Sequence, residues 1–188
     1  MGKIINKNKQ GFTFIEILVS IVVLGMVLPL LFSIVFTIFR QQTKIYRLNE
    51  VKKQGDYILV LTKNLIHNYA VGVYSEAALT NQKCDGITNT SYTSNSSGSN
   101  FFFKNKDGQP FNILLSDGII ATSSGGTGNT KITNSQVVVS GYSISCANTS
   151  TAADSFVTIK FNINYNTTSL NKEDNASLSY QSSLKLRN

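Results

Sequence analysis

The stretch KNKQGFTFIEILVSIVVLGMVLPLLFSIVFTIFR, Lys7 to Arg40, decides the fold. From Ile17 to Phe39 it runs 23 residues without a charge, interrupted only by Ser20, Gly25, Pro29, Ser33 and Thr37. A helix rises about 1.5 Å per residue, so the run makes roughly 35 Å of helix against a hydrocarbon core of about 30 Å. It is long enough to cross a bilayer. Lys3, Lys7 and Lys9 precede it with no acid among them, the pattern of a basic leader. A secretory signal has a shorter apolar core, of about 7 to 15 residues, and a small-residue cleavage site after it. Here Phe39, Arg40, Gln41 and Gln42 follow, so the segment is expected to stay attached. Arg40, Lys44 and Arg47 balance the leader lysines, and charge bias alone does not orient the span. A short head is held inside more easily than a long polar tail, which favours a cytoplasmic N-terminus.

Glu16 is the irregularity at the start of this span. An ionised side chain in mid-bilayer costs about 2.5 to 3.5 kcal/mol on insertion scales, less near the interface, and such groups usually have partners. No Lys, Arg or His lies within one turn on the apolar side, so a partner must come from elsewhere.

KNKQGFTFIEILVS resembles the class III signal sequence of type IV prepilins and pseudopilins: a short basic leader ending in Gly, then Phe, Thr, two apolar residues and Glu. The resemblance implies that a prepilin peptidase cuts between Gly11 and Phe12 on the cytoplasmic side and N-methylates Phe12. Glu16 then stands fifth in the mature chain, where the family has its acid. Cleavage would place a positive amine at Phe12, four residues before Glu16 and one turn away on the same face. A neighbouring parallel subunit, shifted by about that rise, brings its amine beside this carboxylate. A buried pair barely repays its desolvation, so Glu16 is expected to set assembly register rather than add net stability.

Pro29 lacks the N–H that would bond the carbonyl of Gly25, itself a weak helix former, so the span has one soft turn. The reading is open between a tolerated kink and a turn, Gly25 to Pro29, that extends on polymerisation. Beyond Arg40 apolar residues become one-sided. Ile45, Leu48, Val51, Ile58, Leu61, Leu65 and Tyr69 recur at helical spacing among charged residues, with Gly55 weakening the middle. The pattern predicts one helix from Phe12 to about Tyr69; a coiled coil is the alternative, but the heptad is brief.

Strand signals follow Ala70. FFFK, Phe101 to Lys104, and FNILLSDGIIATS, Phe111 to Ser123, read as strands, the second broken by an Asp117-Gly118 turn; QVVVSGYSISC follows. In SFVTIKFNINY, Val157, Ile159, Phe161, Ile163 and Tyr165 face one way, and in ASLSYQSSLKLRN the apolar set is Leu178, Tyr180, Leu184 and Leu186. These two runs are expected to pair as an antiparallel hairpin covering the helix. The polar stretches Gly86 to Asn100 and Thr122 to Thr130 read as exposed loops, and the Asn-x-Ser/Thr triplets within so Asn- and Ser-rich a chain are assigned no glycan.

Together these readings give an α+β, pilin-like lollipop: a long N-terminal helix, half transmembrane and half amphipathic, packed on an antiparallel β-sheet head. The expected divisions are a leader over 1–11, an assembly helix over 12–39, an amphipathic helix over 40–69 and a β-rich head over 70–188. The helix and the closing SLKLRN are loosely similar to the larger minor pilins and pseudopilins of the W and J types. Cys84 and Cys146 flank the strands and are disulfide candidates in an exported head, against two separate small buried residues.

Catalytic patterns are lacking. His67, the one histidine, reads as a surface residue or a cap to the core, and no zinc-protease, nucleophile-elbow or phosphate-loop spacing occurs. No enzyme activity, cofactor or metal is implied. Loss of Lys3, Lys7 and Lys9 would leave 14 basic against 10 acidic side chains, a net of +4, without a basic stripe interleaved with aromatics. The leading reading is a filament subunit of a type IV pilus, competence pilus or type II secretion pseudopilus. Its expected partners are other pilin or pseudopilin subunits, the prepilin peptidase, an inner-membrane assembly platform and, before assembly, the lipid bilayer. Its expected location is the inner membrane, then an extracellular filament or periplasmic pseudopilus. Two readings stand beside it: a tip adhesin or DNA-binding pilin whose loops take a surface ligand or DNA, and an uncleaved membrane-anchored head unrelated to filaments.

Overall fold

The computed structural model describes residues 11–85, 91–125, 128–148, 155–167 and 175–186. The leader lysines, Gly86 to Thr90 of the first polar stretch, residues 126–127 of the second and the closing Arg187-Asn188 lie outside the described residues. Among the described residues one helix, α1, runs Phe14–Tyr69, and ten strands follow: β1 Gly72–Tyr74, β2 Gln82–Lys83, β3 Ser91–Thr93, β4 Phe102–Lys104, β5 Pro110–Ser116, β6 Ile119–Ser124, β7 Thr130–Lys131, β8 Val137–Asn148, β9 Ser155–Tyr165 and β10 Ser177–Lys185. The class is α+β. The chain divides into two units, Met1–Thr43 and Lys44–Asn188.

In the first unit every described side chain is exposed, including Phe14, Leu30, Phe32 and Phe36. No face is polar, so the helix has an apolar surface all the way round and needs an apolar surrounding. Three of its hydroxyls bond back to the preceding turn: Ser20 Oγ donates to the Glu16 carbonyl at 2.7 Å, Thr37 Oγ1 to the Ser33 carbonyl at 2.9 Å and Thr43 Oγ1 to the Phe39 carbonyl at 3.1 Å. Such back-bonding removes the cost of a bare hydroxyl in hydrocarbon.

The second unit holds two antiparallel sheets rather than the one expected. One has strand order β2-β1-β4-β5-β6-β7 and the other β10-β9-β8-β3. The β5–β6 hairpin turns at Asp117-Gly118 as read, with both residues at positive φ, 53° and 73°, which a two-residue hairpin of matching twist requires. β9 and β10 pair antiparallel from Ser177 opposite Asn164 to Lys185 opposite Phe156. The alternation read in β9 holds from Val157 to Ile163, all buried, with Tyr165 half-buried at the strand's end. Between the sheets lies a core that includes Phe101, Phe103, Ile113, Ile120, Ile144 and Phe161. Full burial of each such side chain contributes about 1.5 to 3 kcal/mol. Polar links also join the sheets: the buried Tyr142 hydroxyl donates to the Ile113 carbonyl at 2.8 Å, and Ser155 Oγ to the Cys84 carbonyl at 2.6 Å.

Two expectations are corrected here. The helix face on the core is Val51, Gly55, Ile58, Thr62 and Ile66; Leu61 and Leu65 are half-buried, while Ile45, Leu48 and Tyr69 face outward. Apolar counting missed the small residues, which let a strand come close. A Cβ on Gly55 would collide with the Tyr180 ring, which lies over the helix backbone and donates its hydroxyl to the Lys52 carbonyl at 3.2 Å. The polar stretches are likewise not wholly loop. Ser91–Thr93 forms β3, pairing with β8 at Ala147 to Ser145, and β6 extends to Ser124.

Candidate functional site

The N-terminal segment is built around one cap. The Thr13 carbonyl accepts from the Glu16 N–H at 3.1 Å and from the Ile17 N–H at 3.3 Å, so the helix starts there rather than at Phe12. Gly11 and Phe12 therefore precede the helix, and Phe12 is 78 % exposed. Their peptide bond carries no helical hydrogen bond, the condition in which a peptidase reaches a bond without unwinding structure. Glu16 stands in the first turn, where a carboxylate faces the positive end of the helix dipole. An amine at Phe12 would meet that same positive end, so the charge at Glu16 also offsets an unfavourable placement.

Gly25 and Pro29 lie within the helix, which continues through both. The carbonyl of Gly25 still lacks its proline N–H donor, and the turn keeps one fewer bond than its neighbours. The structure brings Phe12 and Glu16 to one end of the helix, with Gly25 and Pro29 further along the same span.

In the second unit Cys84 and Cys146 are joined by a disulfide with Cα atoms 6.2 Å apart. Both cysteines are buried, and Cys146 lies inside β8, with β9 and β10 still to follow, rather than beyond the strands. Cys84 immediately follows β2 of one sheet and Cys146 belongs to the other, so the bond crosses between sheets. His67 is exposed in the last turn of α1. Among the described residues no cluster of three or more His, Cys, Asp or Glu side chains has metal-binding proximity.

Sequence reasoning missed the contacts that hold the helix to the head. Tyr180 stacks on Phe161 with centroids 5.3 Å apart while its edge lies on Gly55. Removal from water, then the charge of Asp56 and a hydrogen bond to it, push the Tyr180 phenol up to about 12. Toward the N-terminal side of this contact on α1, Asn134 Nδ2 donates to Glu50 Oε1 at 3.1 Å and Arg47 sits 5.5 Å from the Tyr165 ring centroid. Each joins residues more than 80 positions apart, and no local pattern encodes such a pair; a lone glycine in an amphipathic stripe was the only signal.

Residues 6–28 match the family model of the prokaryotic N-terminal methylation motif. That range contains Gly11, Phe12, Glu16 and Gly25, and it ends one residue before Pro29. No curated protein and no solved structure matches the chain.

Proposed function

From a chain that is type IV pilin-like through its N-terminal methylation motif, we propose a filament subunit that is cut between Gly11 and Phe12, methylated at Phe12 and polymerised through its apolar helix. The observation that carries this reading is the coincidence of the motif with a helix apolar on every face, directly behind an exposed, non-helical Gly11-Phe12 bond. A membrane accepts that helix before assembly and a bundle of like helices accepts it afterwards. Glu16 supplies the register, pairing with the Phe12 amine of a neighbouring copy. We assign the head to a minor pilin or pseudopilin on the loose resemblance of its helix and closing segment to the larger members of those groups.

The test is the intact mass and N-terminal sequence of the protein from its own cells, with and without active prepilin peptidase. A chain beginning at methylated Phe12 only when the peptidase works supports the proposal. A chain retaining Met1 to Gly11 in both strains overturns it and leaves a plain membrane anchor.

A further inference from the structure

Two clefts in the second unit meet at Asn105. The first, of about 250 Å³, lies where the end of α1 meets β5 and β6, lined by Leu65, Tyr69, Asn105, Phe111 and Thr122. Its lining is uncharged and combines rings with a hydroxyl and an amide; the Tyr69 ring is 55 % exposed. An exposed ring beside hydroxyl and amide groups suits a ligand with an apolar ring face and a hydroxylated rim. The second cleft, of about 450 Å³, shares Asn105 and adds Lys104, Lys106, Gln82, Tyr74 and Gly72. Gly72 sits opposite Lys104 in the β1–β4 register, and the Tyr74 ring lies close over the place its side chain would take.

Asn105 is positioned to serve both. Its Oδ1 accepts the Gln109 N–H at 2.8 Å, which fixes the amide orientation and leaves the NH2 group as its donor end. No acidic side chain lines either cleft among the described residues; Asp107 belongs to the turn beyond Lys106. One side of Asn105 thus offers an aromatic, hydroxyl-bearing surface and the other offers two ammonium groups.

We propose that this pair of clefts is a binding site for an acidic saccharide, with a sugar ring on Tyr69 and the anionic group of the same or the next sugar at Lys104 and Lys106. A saccharide fits better than a nucleic acid strand, which asks for a longer basic groove with several rings in succession, whereas this site has two lysines and one exposed ring. The site goes beyond the assembly reading and does not depend on it, because binding is measured on the unassembled chain.

The experiment applies the full chain in detergent micelles to an array of uronic-acid-bearing, sialylated, sulfated and neutral oligosaccharides, with single-stranded oligothymidylate alongside. Acidic saccharides are expected to be retained. The double substitution Lys104→Gln, Lys106→Gln is expected to weaken that binding roughly tenfold while leaving weak neutral binding unchanged, and Tyr69→Ser to abolish both. Retention of no saccharide, equal retention of neutral and acidic ones, preference for the oligothymidylate, or unchanged binding by either variant would overturn the proposal. All three side chains are on the surface or at its margin, and a melting curve unchanged by substitution establishes that any loss is at the site.

Discussion

Glu16 carries one charge in a segment otherwise free of charge for 23 further residues, so its replacement separates insertion from assembly. Glu16→Val is expected to leave the amount of membrane-inserted protein unchanged and to reduce its share in sheared filaments; equal shares for variant and wild type would remove the register role. Tyr180 makes a second residue-scale case, outside the span. Its phenol is held up at about 12 in the folded chain, against about 10 for an unfolded tyrosine. A raised folded value means the native state holds the proton more tightly, so this contribution is complete below pH 10 and is lost as pH rises through about 12. The stability of wild type relative to Tyr180→Phe should accordingly be greatest below pH 10 and fall as pH rises through about 12, as followed by denaturant titration with circular dichroism at each pH.

For the elements, the contact between α1 and β10 depends on what Gly55 lacks. In a free helix Gly→Ala adds about 1 kcal/mol of stability, but here the new methyl meets a Tyr180 ring that cannot swing aside without losing its stack on Phe161. Overpacking of this kind costs about 1 to 3 kcal/mol, so Gly55→Ala should lower the melting temperature. In a Tyr180→Ala background the same change should raise it, and that reversal of sign identifies the contact as the cause. The long elements were legible because they satisfy local rules: the all-round apolar run, the alternation in β9 and the positive-φ turn at Asp117-Gly118. β1, β2, β3 and β7 were not, since two or three residues are too few to display a period and, unlike the Phe101–Phe103 run leading through β4, they hold no consecutive rings. Tyr92 in β3 is held by its stack on Phe101, a tertiary contact that a Ser- and Thr-rich string does not announce. The soft turn in α1 also belongs here. It is helical in the single chain, and hydrogen exchange at Gly25 to Pro29 should accelerate relative to its flanks after polymerisation; protection equal to the flanks would mean that the proline is only tolerated.

Across the whole molecule, the Cys84–Cys146 bond spans 62 positions and ties one sheet to the other. Closing a loop of that length restricts the unfolded chain by up to about 4 kcal/mol. The doubly substituted Cys84→Ser, Cys146→Ser chain should unfold at correspondingly lower denaturant, and wild type should match it once fully reduced. The N-terminal methylation motif was legible in the sequence, because it lies within a few consecutive residues, and the family-model match over residues 6–28 falls on the same stretch. The clefts at Asn105 were not, as their walls come from α1, β1, β2, β4, β5 and β6 and exist only once the sheets have formed. The exposed apolar helix has one more consequence. Hydrocarbon tails and leucine side chains are nearly equivalent surroundings for such a surface, so moving it from lipid into a bundle of its own kind releases little hydrophobic free energy. For a subunit that works this way, the transfer is close to balanced in both directions. In a filament built this way, the direction of that transfer would be decided by what drives it from outside, since the helix surface itself favours neither surrounding.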